Sequence, residues 1–185
     1  YQYLESEQWC MLDCDVILTK LPVVDKGTVW VSDCASYMNA EYIEGCGYTT
    51  KDFAGYLDMD VNDIDRIDEN IGGAQYIFDN VSYVVWKWSF QSIGKLRNAI
   101  NVNNKQGINP NGFQRWCAEM FTNIYALSHY KHDIKHSDEL RFNFATDRIE
   151  DVRPIIHNAG VTGDTDLGLF NKGLYTYNEP PNDLD

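Results

Sequence analysis

Apolar positions recur along the chain either at every second residue or at steps of three and four, and the two periods divide it into strands and helices. The first apolar run is Trp9-Cys10-Met11-Leu12-Asp13-Cys14-Asp15-Val16-Ile17-Leu18. It is rich in β-branched and aromatic side chains and closes at Lys20 and Pro22, which predicts one buried strand over 9–18. A polar-edged loop over 21–27 leads to a second strand over 28–32, ended by Asp33. Helical spacing of Tyr37, Met38 and Tyr42 predicts a helix over 36–44, stopped by Gly45 and Gly47. A second short helix is expected from Thr50 with Phe53, Tyr56 and Leu57. A third is expected over 61–67, with Ile64 and Ile67 inward and the acids outward. These small helices read as an insertion or a lid.

Gly72-Gly73-Ala74-Gln75-Tyr76-Ile77-Phe78 predicts a glycine-led strand, where missing side chains let another backbone or a ligand approach. Asn80 is placed to cap a long helix over 81–101, whose aromatic stripe (Tyr83, Trp86, Trp88, Phe90) reads as core. A loop over 103–111 follows, then a second long helix over 111–130 with Phe113, Trp116, Met120, Ile124 and Leu127 on one face. Residues 140–145 alternate cleanly as a strand, and 154–158 form a short apolar strand ending in His157-Asn158. The tail after Gly160 is rich in Gly, Asp and Asn, with Phe170, Tyr175 and Tyr177 as packing anchors. The expected class is α/β, with a mixed, mostly parallel sheet flanked by helices. A single domain is expected over 1–181, with a frayed tail over 182–185.

Composition narrows the field. A chain of 185 residues, 44% hydrophobic and 23% charged, can bury a sizeable core. A net charge of -13 argues against nucleic-acid or anionic-membrane binding, which needs clustered Lys and Arg. No apolar stretch reaches the length of a membrane span, and no signal-peptide pattern opens the sequence. Five cysteines, an odd number with two in the first apolar run, read as reduced thiols in a cytoplasmic setting.

The candidate chemistry starts with Asp13 and Asp15. On a strand they project to one side, and two anions that close repel unless a cation sits between them or water reaches them. An isolated Asp-x-Asp pair is more often two solvated carboxylates than a metal site. His157 adds an isolated imidazole where an apolar strand meets a loop. Two carboxylates and one imidazole suit Mn²⁺ or Mg²⁺ better than a structural zinc site, which favours thiolates.

Taken in order, these residues resemble a known family. Asp13-Cys14-Asp15 after an apolar strand is similar to the Asp-x-Asp motif of glycosyltransferases with the A-type, nucleotide-sugar-binding fold. The Gly-Gly-Ala-Gln-Tyr strand followed by a long helix resembles that fold's mid-domain strand. His157-Asn158-Ala159-Gly160, followed by Phe170-Asn171-Lys172-Gly173, resembles the C-terminal segment of the glycogenin-like retaining members, with a wider spacing before the lysine. The resemblance implies metal-dependent transfer of a sugar from a nucleotide-diphosphate donor to a hydroxyl acceptor. It implies Asp13, Asp15 and His157 as metal ligands. It places Lys172 on the diphosphate, Asp13 near the ribose and Gly72 and Gly73 along the donor. Gln75 would contact the sugar, and Glu119 would stand at the acceptor-side helix start. Asp33 is a weaker candidate for the sugar hydroxyls. In that fold further strands precede the Asp-x-Asp motif, so an upstream segment or a second chain is expected to complete the nucleotide site.

Two other classes stay open: a non-enzymatic acidic α/β interaction or structural module, and a metal-dependent hydrolase using the same aspartates. His129, His132 and His136 share metal-like spacing but lack a fourth ligand. Asp60-Val61-Asn62-Asp63-Ile64-Asp65 superficially resembles a calcium loop without its glycine or its terminal bidentate acid. Cys117 has no evident histidine partner, and no phosphate-loop, dinucleotide or serine-elbow motif is present.

Overall fold

The computed structural model describes residues 8–105, 113, 114, 117–144, 147 and 152–158. In chain order its elements are β1 (Trp9–Met11), β2 (Val16–Leu18), β3 (Val29–Asp33), α1 (Ala40–Gly45), α2 (Thr50–Leu57), α3 (Val61–Asp65), β4 (Gly72–Phe78), α4 (Tyr83–Lys105), α5 (Ala118–His129), β5 (Ile134–His136), β6 (Phe142–Phe144) and β7 (Ile155–His157). The chain is thus mixed α/β, with two mixed sheets. It divides into two compact units, one from Tyr1–Leu12 and Val23–Leu140, the other from Asp13–Pro22 and Arg141–Asp185.

The larger unit is built on a four-stranded sheet of order β1-β4-β3-β5. Strand β4 is central and runs antiparallel to both β1 and β3, while β3 and β5 are parallel. Its alternation explains its position: Tyr76 and Phe78 fall on one face and stack at 5.0 Å. Phe78 then meets Trp9 at 4.5 Å and Trp86 at 4.6 Å. Strand β5 was not expected from the pattern, since three residues in a polar, histidine-rich stretch give too short a period to read.

Helices α4 and α5 pack together in this unit. The inner stripe of α4 is Val85, Ser89, Ser92, Leu96 and Ile100, all buried at three- and four-residue steps. The two serines are small enough to admit the neighbouring helix, and Ser89 Oγ lies 2.6 Å from Asn123 Oδ1 and 3.2 Å from Thr122 Oγ1. The aromatic stripe therefore does not coincide with the buried one. Trp86 and Trp88 are partly buried against the core, whereas Tyr83 is half exposed and Phe90 is 79% exposed. The expectation of an all-core stripe is corrected by the phase of the serines. Phe53, Phe113 and Phe121 form the centre of a second aromatic cluster, with ring centroids 5.3–5.5 Å apart.

Element boundaries moved where side chains compete for backbone groups. The helix expected over 36–44 splits into a 3-10 turn at Ala35–Tyr37 and α1, because Asn39 caps α1 by accepting the Tyr42 amide at 2.9 Å. The long helix begins at Tyr83, and Asn80 instead takes φ 53 in the turn before it. Thr49 and Asp52 close a reciprocal cap on α2. Residues 106–112 and 159–185 lie outside the described set, so the loop, the early part of the second helix and the tail anchors are not described.

The smaller unit carries a three-stranded sheet of order β2-β7-β6. Strand β7 is central, antiparallel to β2 and parallel to β6. Two expectations are corrected here. The sheets are not mostly parallel: three of the five pairings are antiparallel. In the larger unit the short helices α1–α3 bring the chain back to the end of the sheet it left, so β4 runs back against β3. The apolar run 9–18 is also not one strand. It breaks over Leu12–Asp15, with β1 joining one sheet and β2 the other. Asp13 Oδ1 accepts its neighbour's amide, that of Cys14, at 2.8 Å, a local bond that competes with a strand ladder.

Asp63, expected to face outward, is buried at the start of α3. Lys131 Nζ donates to its Oδ1, and His129 Nδ1 lies 3.2 Å from its Oδ2. Arg66 reaches the Ser128 carbonyl, and Ser128 Oγ bonds the Asp63 carbonyl, tying α3 to the end of α5. Burial is the largest influence on the Asp63 carboxyl and pushes its pKa up; the Lys131 and His129 bonds together outweigh it and hold the value below the ordinary range. A depressed folded value means that the stability from this group is complete above about pH 4 and is lost as pH falls through the folded pKa. Asp63→Asn is expected to cost about 2 kcal/mol at pH 7. Denaturant melts between pH 2 and 7 should show a shallower acid limb in the variant than in the wild type.

Candidate metal centre

The smaller unit brings together three of the side chains singled out in the sequence. Strand β2 pairs with β7 so that Val16 stands opposite His157. The Asn158 amide continues the pairing by donating to the Asp15 carbonyl at 2.8 Å. This register sets Asp15 beside the imidazole, and the turn at Cys14 folds Asp13 to the same place. His157 Nε2 lies 3.2 Å from Asp15 Oδ1 and 3.4 Å from Asp13 Oδ2. One ligand atom from each residue falls within 4.8 Å of the others, and no other set of three His, Cys, Asp or Glu side chains does so among the described residues.

Burial is graded across the three. The side chains of His157 and Asp15 are 9% and 12% exposed, while that of Asp13 is 48% exposed. The cluster therefore has a closed side and an open one, and the open side carries a carboxylate. Two carboxylates and one imidazole form a donor set that a divalent cation would match in charge as well as in chemistry.

The donor geometry fits such an ion. Adjacent ligands around an octahedral ion with bonds of about 2.1 Å stand about 3.0 Å apart, close to the separations here. Two hard oxygens and one imidazole nitrogen suit Mn²⁺ or Mg²⁺. The imidazole itself is held from the far side by strand β6. Phe144, directly beside His157 in the parallel register, lies 6.3 Å away at an interplanar angle of 24°, and Phe142 presents its ring at 5.5 Å and 73°. These two phenylalanines escaped notice in the sequence. Their signal was the alternation Phe142-Asn143-Phe144, which places both rings on the face that His157 shares.

The other candidates occupy different surroundings. Gly72 is explained by packing: a Cβ there would meet the Ser32 carbonyl oxygen at 2.2 Å and Val31 Cγ2 at 2.7 Å, where the β3–β4 register shifts. Gly73 faces Met120 and Tyr76, and its carbonyl accepts from Ser32 Oγ. Gln75 is 0% exposed. A sugar contact needs a side chain that a ligand can reach, so the role expected of Gln75 finds no surface on this residue. Glu119 lies in the first turn of α5 and pairs with Arg97 at 3.0 Å, both half exposed. Asp33 ends β3 and accepts the Ala35 amide at 3.0 Å. Lys172 lies outside the described residues.

The three spaced histidines separate. His129 pairs with Asp63, His136 Nε2 lies 3.0 Å from the Ile71 carbonyl, and burial lowers the pKa of His132. All five cysteines are free, with Cys34, Cys46 and Cys117 buried. Burial, with Glu119 next in effect, pushes the Cys117 thiol up to about 12, so it stays protonated at neutral pH. No described helix is long and apolar enough to cross a membrane.

Comparison with family models, curated proteins and solved structures yields no match to this chain.

The packing account of the two glycines separates them experimentally. Gly72→Ala drives a methyl group into backbone and is expected to cost about 3 kcal/mol. Gly73→Ala meets the flexible end of Met120 first and should cost less. Urea melts of the two variants check the order, and equal costs would contradict it.

Proposed function

We propose that this protein is a divalent-metal-dependent glycosyltransferase, moving a sugar from a nucleotide-diphosphate donor to a hydroxyl acceptor. The observation that carries the proposal is the convergence of Asp13, Asp15 and His157 on a space the size of one ion. The order of motifs supports it: Asp-x-Asp after an apolar run, a Gly-Gly-Ala-Gln-Tyr strand, a long helix, and a late histidine followed by Asn-Ala-Gly.

Asp13, Asp15 and His157 would hold the ion, Mn²⁺ or Mg²⁺, through three protein atoms, leaving its remaining positions to phosphate oxygens and water. Such an ion supplies Lewis-acid stabilisation of the charge that grows on a diphosphate leaving group. The chain's own contribution is to fix the ligands. The β2–β7 register sets the spacing of Asp15 and His157, and the local bond from Cys14 to Asp13 turns that carboxylate toward them. Burial of Asp15 and His157 excludes water from one side, which strengthens their hold on a cation. The half-exposed Asp13 stands where a ligand enters and, by the family resemblance, beside the ribose. Lys172 is assigned to the diphosphate on the same ground. An acidic chain of net charge -13 gains from this arrangement, because the ion presents positive charge to a polyanionic donor.

Thermal melts with nucleoside diphosphates, with and without Mn²⁺, test the proposal. Mn²⁺ together with a diphosphate is expected to raise Tm by several degrees, as ligand linkage requires. Asp15→Asn and His157→Ala should each abolish the rise. A panel of nucleotide sugars should then show release of the nucleoside diphosphate that depends on an added acceptor. Release of sugar without acceptor would replace the transferase with a hydrolase. No metal-dependent shift with any diphosphate would leave an interaction module and end the proposal.

A further inference from the structure

We infer that Phe142 and Phe144 are positioning residues for the metal centre, orienting the His157 imidazole by ring packing where metal sites ordinarily use a hydrogen bond. The inference rests on the proposed metal-binding role of His157. Ligating histidines usually donate their second ring N–H to a carboxylate or carbonyl, which fixes both tautomer and ring angle. With Nε2 facing Asp13 and Asp15, that second atom here is Nδ1. It is buried, and no hydrogen-bond partner meets it among the described residues. What meets the ring instead is aromatic surface from strand β6, Phe144 at 24° to its plane and Phe142 at 73°.

The backbone holds these rings in place. Phe144 is the registered neighbour of His157 across the parallel β6–β7 pair, and Phe142 stands two residues earlier on the same face. The two phenylalanines are themselves 5.2 Å apart at 89°, so each limits the rotation of the other. Arg153 fastens β6 to the approach of β7: its Nη1 donates to the Phe142 carbonyl at 2.7 Å and its amide to Asn143 Oδ1 at 2.9 Å. An imidazole turned away from the plane shared with Asp13 and Asp15 would direct its lone pair off the ion. The parallel ring of Phe144 and the edge contact of Phe142 oppose that turn. Phe144 is also 40% exposed, so losing its ring should disturb the sheet far less than losing a core side chain.

The test measures Mn²⁺ affinity of the full chain by loss of the free-ion paramagnetic resonance signal, with circular dichroism and urea melts on every variant. Phe144→Leu and Phe142→Leu are expected to weaken Mn²⁺ binding about tenfold, the lower end of what loss of a supporting group costs a metal site. Phe144→Tyr keeps the ring and should bind as the wild type does. Ile156→Val is the structural control: it trims a half-buried side chain of the same strand on the face opposite His157 and the two phenylalanines, and should change stability but not affinity. A second readout is the nitrogen resonances of His157 with Mg²⁺ bound, expected as one sharp set in the wild type and as broadened or multiple sets in Phe144→Leu. Wild-type binding with unchanged affinity and spectra in both leucine variants overturns the positioning role while leaving the metal centre intact. Equal weakening by Ile156→Val and Phe144→Leu at equal loss of stability overturns it as well. Failure of the wild type itself to bind Mn²⁺ overturns both the inference and the proposed function.

Discussion

The pairing of β2 with β7 is the constraint on which the candidate site depends. It is a short antiparallel ladder of three residue pairs, Val16 with His157, Ile17 with Ile156 and Leu18 with Ile155. A slip of one residue would send every side chain to the opposite face, carrying His157 away from the aspartates and away from the phenylalanines. Several bonds pin the register at its ends. Asn158 donates to the Asp15 carbonyl, the Thr19 amide donates to the Pro154 carbonyl at 2.9 Å, and Thr19 Oγ1 donates to carbonyls of Arg153 and Pro154. The two ligand-bearing segments are thus locked on both sides of the site by backbone bonds, before any ion is considered.

Much of this was legible in the sequence, and unevenly so. The central strand over 72–78 was readable because two glycines, poor helix formers, lead into the β-prone run Tyr76-Ile77-Phe78. The strand's end residues Ile155, Ile156 and His157 were readable from a short apolar run meeting polar residues. Asp13, Asp15 and His157 could be grouped only by their ligand chemistry and a resemblance of order, since nothing in local spacing connects residues so distant in the chain. What could not be read was the break between Met11 and Val16. Apolar periodicity alone favours continuing the strand, and the competing term is the preference of Asp13 for its neighbour's amide together with the cost of burying two carboxylates in a ladder. Asp63 was misread for a similar reason: an acid on a polar face looks solvated until distant Lys131 and His129 arrive to satisfy it.

The two acidic clusters illustrate two solutions to one electrostatic problem. Around Asp63 the compensating charge is supplied by the chain itself, through the Lys131 ammonium just past α5, with the His129 imidazole as a second polar neighbour. Around Asp13 and Asp15 stands the His157 imidazole, which packs against the rings of Phe142 and Phe144 on strand β6. The first arrangement is self-sufficient and holds two elements together. The second gathers two carboxylates and an imidazole, a donor set of the kind a divalent cation takes, which is the ground of the proposed role. The serine-lined contact of α4 and α5 is another case of chemistry set by size, since it turns the aromatic face of α4 partly outward.

The wide separation of the ligand segments has a consequence for the birth of the protein. As the polypeptide leaves the ribosome, Asp13 and Asp15 must wait for the whole stretch from β3 to β6 before strand β7 appears beside them. Through that interval a cation has only a flexible pair of carboxylates to hold, without the imidazole or the ladder that fixes its surroundings. The full ligand set of the proposed centre therefore forms only when β7 docks on β2, which closes a long stretch of intervening chain into a loop at an entropic cost.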